Sequence, residues 1–401
     1  MGTGRARVRP PRPQVVVRPG HDARLRAGHL WVYRTEIARI DGDPEDGDAV
    51  AVRAASGRHL GTGLLNTRSA IAVRLLTAEE REIDERFLRD RLSSALAVRT
   101  RSASPNGACR LVYSEGDYLP GLIVDRYADL LVIQTLTLGM DRRKDLFVRL
   151  LAEILRPRGV YARNDPAVRR LEGLPRESGW LAGGGPTQVE IEEGQSRFVV
   201  DVAQGQKTGF FLDQRENRTR AAELAAGARV LDGFAYTGAW GIRAASRGAT
   251  AVTGLEISEA AVAAAEQNAT LNGCGDRCRW LHENAFDALR RLAASGPAFD
   301  LVILDPPAFV KTRAALAQGL GGYKEINLRA LKVLGPTSWL ITCSCSYHVD
   351  EPTLTAVVHE AARDARRRIR IVESRSQATD HPVHPAMPET RYLKCLIVAV
   401  E

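Results

Sequence analysis

Short apolar runs broken by turn residues open the chain, and regular strand–helix alternation closes it. Between Val15 and Leu76 the runs Val15 to Val17, Ala49 to Val52, Leu60 to Leu65 and Ala70 to Leu76 are separated by Gly, Asp and Asn. That is the pattern of short strands in a small β domain, and it predicts a compact barrel over 14–77. From Ile83 to Arg99 the spacing of Ile83, Phe87, Leu88, Leu92 and Leu96 predicts a helix. Strand-like Arg110 to Tyr113, Leu122 to Tyr127 and Leu130 to Leu136, a second helix over 142–155 and the glycine turn at 183–186 make a middle α+β domain over 78–190. A hairpin over 189–202 leads into the last part. There, strands ending near 231, 256, 304, 343 and 398 alternate with helices at 213–226, 239–247, 258–271, 285–294, 324–333 and 352–366. Such alternation predicts an α/β fold with a parallel, doubly wound sheet over 191–401. Ligands of such sheets sit at the carboxyl ends of the strands.

Composition narrows the class. The chain has 401 residues, 44% hydrophobic and 26% charged, as in soluble globular proteins. The net charge is +8 and arginine far outnumbers lysine, which suits an anionic partner such as RNA, although arginine-rich genomes produce the same bias. Residues 1–13 read as a flexible basic leader. Six cysteines, at 109, 274, 278, 343, 345 and 395, suggest neither a disulfide framework nor a zinc site, which fits a reducing, cytoplasmic setting. Cys109 and Cys395 lie in apolar runs and read as core. No apolar run has the length of a membrane span. His348, His359, His381 and His384 lack metal-like partners, and Arg366-Arg367-Arg368 reads as a solvated helix end.

The candidate chemistry lies at strand ends. In Val230-Leu-Asp-Gly-Phe-Ala-Tyr-Thr-Gly-Ala-Trp-Gly241 a buried strand meets a glycine turn and a helix N-terminus, where a backbone can approach a ligand. Glu256 closes the next strand, about 20 residues on, where a carboxylate holds ribose hydroxyls. The spacing admits NAD or S-adenosylmethionine, and the missing G-x-G-x-x-G weighs against a dinucleotide. A third strand delivers Asp305 to a stiff Pro306-Pro307 turn followed by Phe309, an arrangement that can hold the polar edge of a flat base. A fourth ends at Cys343-Ser344-Cys345-Ser346. Carbon 5 of a pyrimidine accepts a methyl group once a thiolate has added to carbon 6, so a cysteine here points to carbon methylation, whereas nitrogen methylation needs none. Alternation puts both cysteines on one face, so at most one is the nucleophile.

Several stretches together resemble a known family. Gly28-His29-Leu30-Trp31-Val32, Leu119-Pro-Gly-Leu-Ile-Val-Asp-Arg-Tyr127, Glu172-Gly173-Leu174 and above all Gln206-Lys-Thr-Gly-Phe-Phe-Leu-Asp-Gln-Arg215 are similar to signatures of class I methyltransferases with an N-terminal PUA domain. Those enzymes make 5-methylcytosine in large-subunit ribosomal RNA. The resemblance implies a Rossmann-like S-adenosylmethionine methyltransferase domain, a PUA-like β-barrel that grips RNA, 23S rRNA as partner, and a homodimer. By position, Lys207, Thr208, Phe210 and Gln214 would line the donor pocket. Asp232, Phe234 and Gly238 would surround its methionine end, Glu256 its ribose and Asn284 its adenine edge. Asp305 would stand between donor and base, and Cys345 would be the nucleophile, with the elimination base unassigned. The alternatives are nitrogen methylation of a purine in rRNA through the Asp305–Phe309 stretch, or an RNA-binding assembly factor without catalysis.

Overall fold

The computed structural model describes residues 12–99, 106–296 and 298–401. The basic leader therefore lies outside the described residues except for Arg12, which donates to the Arg81 carbonyl at 2.9 Å, and Pro13. The first sheet has six strands: β1 Gln14–Val17, β2 Trp31–Tyr33, β3 Ile37–Asp41, β4 Ala49–Arg53, β5 His59–Leu65 and β6 Ile71–Thr77. A short helix, α1 Ala23–Arg26, follows β1. The order is β2-β6-β5-β4-β1-β3, antiparallel except for β1 on β4. The edge strands β2 and β3 are joined by a single 3-10 turn, Arg34–Glu36. Val15, Val17, Val32, Val50, Val52 and Val73 fill the interior. Trp31 packs half-buried against this core, and its indole N–H donates to Glu115 of the next domain at 2.8 Å.

The middle domain pairs α2 Glu85–Arg99, α3 Leu138–Asp141 and α4 Lys144–Leu155 with β7 Ala108–Tyr113, β8 Leu122–Tyr127, β9 Leu130–Thr135, β10 Gly159–Asn164 and β11 Glu177–Gly183. The sheet runs β11-β10-β9-β8-β7, with β9 and β10 parallel. Phe87, Leu92, Phe147 and Leu151 of α2 and α4 pack with Val112, Val124 and Ile133 of the strands. A hairpin follows, β12 Gln188–Glu193 and β13 Ser196–Asp201, turning at Gly194 with φ +61°.

The third sheet contains β14 Arg229–Asp232, β15 Ala251–Glu256, β16 Cys278–His282, β17 Phe299–Leu304, β18 Leu334–Ser344, β19 Ile369–Arg375 and β20 Lys394–Val400. Its helices are α5 Arg215–Glu223, α6 Ala239–Ser246, α7 Glu259–Leu271, α8 Ala285–Ala294, α9 Leu316–Val333 and α10 Glu351–Ala365. The order β16-β15-β14-β17-β18-β20-β19 reverses direction at β14, which places a crevice at the carboxyl ends of β14 and β17. The sheet is not parallel throughout. β20 runs antiparallel to both β18 and β19, so the chain returns to the crevice at the start of β20. Helix α9 begins at Leu316, earlier than the apolar spacing indicated. Arg367 is no free solvated charge: it donates to the Leu331, Leu334 and Gly335 carbonyls at 2.6 to 3.0 Å.

One connection touches all three domains. Residues 376–393, between β19 and β20, put Met387 into the core of the first sheet and Asp380 against arginines of the second and third. His29 of the first domain stands 3.5 Å from Glu389. A second joint is Glu172, 2% exposed, which accepts from Asn66 and Ser69 and pairs with Arg74 at 2.9 Å. Among the described residues no helix is long and apolar enough to cross a membrane, and no cluster of His, Cys, Asp and Glu could hold a metal ion.

Candidate active site

The ends of β14, β15, β17 and β18 and the 205–214 loop enclose a cavity of about 400 Å³. Its shape starts with backbone conformations the sequence tolerates at a cost. Tyr236 has φ +48° and Lys207 φ +54°, a region bulky residues seldom occupy without support. The support is mutual. The Tyr236 N–H donates to Glu256 at 2.9 Å, and its hydroxyl receives the Gln206 N–H at 2.8 Å. The other Glu256 oxygen accepts the Ser258 N–H at 2.8 Å. The two loops and the carboxylate are thereby locked together.

The expected donor residues fall in two layers. Lys207, Phe210, Gln214, Phe234, Glu256, Asn284 and Asp305 line the cavity. Thr208, Asp232 and Gly238 stand behind its wall. Thr208 donates to Asp125 at 2.6 Å and lies 2.8 Å from the Tyr127 hydroxyl, which ties the loop to β8. Asp232 has no exposed surface and accepts the Gly241 N–H at 3.1 Å, which fixes the start of α6. Gly238 caps α6 with φ +84°, and a Cβ there would meet the Trp280 ring at 2.9 Å. A Cβ at Gly241 would meet Val252 Cγ1 at 2.7 Å and the Trp280 ring at 3.0 Å, so both glycines let α6 pack closely. Gly233 does line the cavity, and Asn284 lines it while capping α8 through the Phe286 N–H at 2.9 Å.

The lining is mostly apolar and aromatic, with a few carboxylates set into it. Asp305 accepts from Gln214 at 2.9 Å and from the Trp240 indole at 3.2 Å. Burial, with Asp213 nearby, pushes its pKa up to about 6. Burial pushes Asp232 up to about 7, helped by Asp305 and Glu256. Asp213 behaves oppositely. Burial works against its charge, but Lys207 at 2.5 Å, His381 and the Tyr392 hydroxyl hold it well below the ordinary range. Lys207 also lies over the Phe211 ring at 4.6 Å.

The two cysteines differ in access. Cys343 is fully buried opposite Cys395, and burial carries its thiol well above the ordinary pKa. Cys345, just beyond β18, is half-buried and lines the same cavity as Asp305. Burial raises its thiol pKa, while Lys207 and Lys394 act in the other direction. Trp240, Phe286 and Leu393 also line the cavity, and behind them Tyr392 bonds Asp213 and Lys394 the Ser346 carbonyl, none of which the motifs pointed to. Of these, Tyr392, Leu393 and Lys394 come from the 376–393 connection and the start of β20, which carry no motif.

Residues 138–398 match the model of the S-adenosylmethionine-dependent methyltransferase family, and residues 15–78 match that of a PUA-like domain. The chain belongs to the S-adenosylmethionine-dependent methyltransferases. It is similar to two proteins named ribosomal RNA large subunit methyltransferase I. The one from Alteromonas mediterranea is 39% identical over 96% of this chain and 98% of its own. The one from Aeromonas salmonicida is 38% identical over 94% and 97%. In fold it resembles a methyltransferase from Streptococcus mutans, with TM-score 0.82 and 19% identity over 96% of this chain and 99% of that one.

The cofactor of this family is S-adenosylmethionine, and the carboxyls of Asp305 on the cavity and Asp232 behind its wall fit it. The donor supplies an electrophilic methyl on a positively charged sulfur. Asp232 and Asp305, both reluctant to ionise, would gain from a bound cation. The sign follows directly. A cation favours the ionised carboxyls, so binding releases protons and tightens as pH rises through 6 and 7. Between pH 5.5 and pH 8 the affinity is expected to rise about tenfold, with a smaller change for S-adenosylhomocysteine, whose sulfur is neutral. Calorimetry in buffers of different ionisation enthalpy reads both effects, and proton uptake on binding would contradict this account.

Proposed function

We propose that this methyltransferase transfers the methyl of S-adenosylmethionine to carbon 5 of a cytosine in large-subunit ribosomal RNA. One observation carries the carbon chemistry: Cys345 and Asp305 line one cavity. The RNA assignment is supported by the PUA-like match over residues 15–78 and by the names of relatives aligned over nearly the whole chain. In this reading the Cys345 thiolate adds to carbon 6 and leaves a carbanion at carbon 5 that takes the methyl, with S-adenosylhomocysteine as the leaving group. A base then removes the carbon 5 proton, and the carbon–sulfur bond breaks to return the thiolate. Asp305, held by Gln214 and Trp240, orients the base through its nitrogen edge. Lys207, Phe210, Gln214, Phe234, Glu256 and Asn284 hold the donor from the wall. Thr208, Asp232 and Gly238 support them from behind. A target within a helix would have to be unstacked and flipped.

The test is transfer of labelled methyl to large-subunit rRNA from a strain lacking this enzyme, followed by mass spectrometry of the nucleosides. The expected product is 5-methylcytidine. An N-methylated purine would assign the nitrogen chemistry to the Asp305–Phe309 turn. RNA binding without any transfer would leave an assembly factor.

A further inference from the structure

Ser344 and Ser346 flank Cys345, and both direct their hydroxyls away from the cavity onto one atom. Ser344 Oγ donates to Tyr323 Oη at 2.9 Å, and Ser346 Oγ shares a hydrogen bond with the same oxygen at 2.9 Å. Tyr323 belongs to α9 and has no exposed surface. Residues 344 and 346 are both drawn to α9, and the one between them faces the other way. There Cys345 meets the cavity.

The same phenol also organises the Asp305 turn. Ser346 Oγ accepts the Val310 N–H at 3.1 Å, and the Phe309 ring packs on the Tyr323 ring with centroids 4.7 Å apart. Helix α9 comes this close because Gly319 has no side chain: a Cβ there would lie 2.3 Å from Val310 Cγ2 and 3.0 Å from the Phe309 carbonyl oxygen. From the other side Lys394 Nζ donates to the Ser346 carbonyl at 2.7 Å and to the Tyr392 carbonyl at 2.8 Å. Burial raises the Tyr323 pKa, so the phenol stays protonated and able to donate.

We propose that Tyr323 is a positioning residue for methyl transfer, its buried oxygen joining Ser344 to Ser346 so that the Cys345 thiol is held in register with the Asp305 turn. This rests on Cys345 as the attacking group. Tyr323 touches neither substrate nor donor and acts through the two serines.

Tyr323→Phe removes one oxygen and keeps the ring that Phe309 packs on. Its kcat is expected to fall about 30-fold, because misplacing a nucleophile by an ångström or less carries a cost of this size. The KM for RNA and the donor Kd should stay within about twofold, since neither is bound through this contact. The rate at which iodoacetamide alkylates Cys345, read by peptide mass spectrometry, should change at least threefold. Ser346→Ala should lower kcat similarly, and the double variant should be no worse than either single one, as expected for members of one network. A kcat within twofold of the parent in Tyr323→Phe, with Cys345→Ala inactive, would overturn the proposal alone. So would losses that multiply in the double variant. If Cys345→Ala stayed active, the cysteine reading itself would fall. The alkylation rate would then judge the clamp, and no change in Tyr323→Phe would end it.

Discussion

Cys345→Ala is expected to lose methyl transfer by about three orders of magnitude or more, while S-adenosylmethionine binds as before. The substitution removes one half-buried sulfur at a cavity wall, so folding should change by no more than about 1 to 2 kcal/mol. Everything that orients Asp305 remains, because Gln214 and Trp240 bond it without help from the thiol. The loss would therefore be chemical. Labelled transfer to rRNA measures it, and calorimetry checks the donor. Activity within tenfold of the parent would mean that the acceptor needs no sulfur adduct, and the product would be a methylated nitrogen. The parent enzyme should also respond to pH. Burial holds the Cys345 thiol above its ordinary pKa, so the thiolate fraction grows about tenfold per pH unit across the neutral range.

The largest effect on folding is expected at Arg110, which does not line the cavity. Its guanidinium makes two 2.8 Å bonds to Asp125, which has no exposed surface. Arg110→Met leaves that carboxylate buried without its partner, at a cost of about 3 to 5 kcal/mol. The damage should reach the donor, because Asp125 also accepts from Thr208, and Thr208 sits on the loop that carries Lys207, Phe210 and Gln214. The urea midpoint should fall clearly, and the donor Kd should weaken at temperatures where the variant is still folded. Parent-like values of both would show that β8 does not hold the loop. Removing Arg149 from the exposed Glu85 pair should change neither measurement, since water screens that bond.

The sequence displayed the sheet of the third domain wherever a strand is buried on both faces. β14 and β17 read from their apolar stretches Val230-Leu231 and Leu301 to Leu304, and their acidic ends are in place. β16 and β19 escaped because they lie at the sheet edges and mix polar with apolar residues, as in Cys-Arg-Trp-Leu-His. The first half of α9 escaped because Gly319, Gly321 and Gly322 lower helix propensity in the turns where the Phe309 loop must come close. The direction of β20 is not encoded in its own composition. The site divides in the same way. Glu256, Asp305 and Cys345 were legible because each ends a strand within a recognisable motif. Tyr323, Tyr392, Lys394 and Asp125 were not, because only folding brings them to the motif residues they support.

The 376–393 connection has a consequence for how such a protein can change. Met387 plugs the interior of the first domain, and Asp380 meets Arg110 N–H and the Arg215 guanidinium. Tyr392, at the end of the same stretch, closes on Asp213. A fragment holding the third domain alone would display a naked apolar plug and lose the Arg110 N–H bond to Asp380, leaving that carboxylate only Arg215 and His381. Exchanging the PUA-like part between distant relatives would split these contacts between mismatched parents. The three parts are thus bound to be inherited as a block, and shuffling at their borders should succeed only where the connection travels with its neighbours.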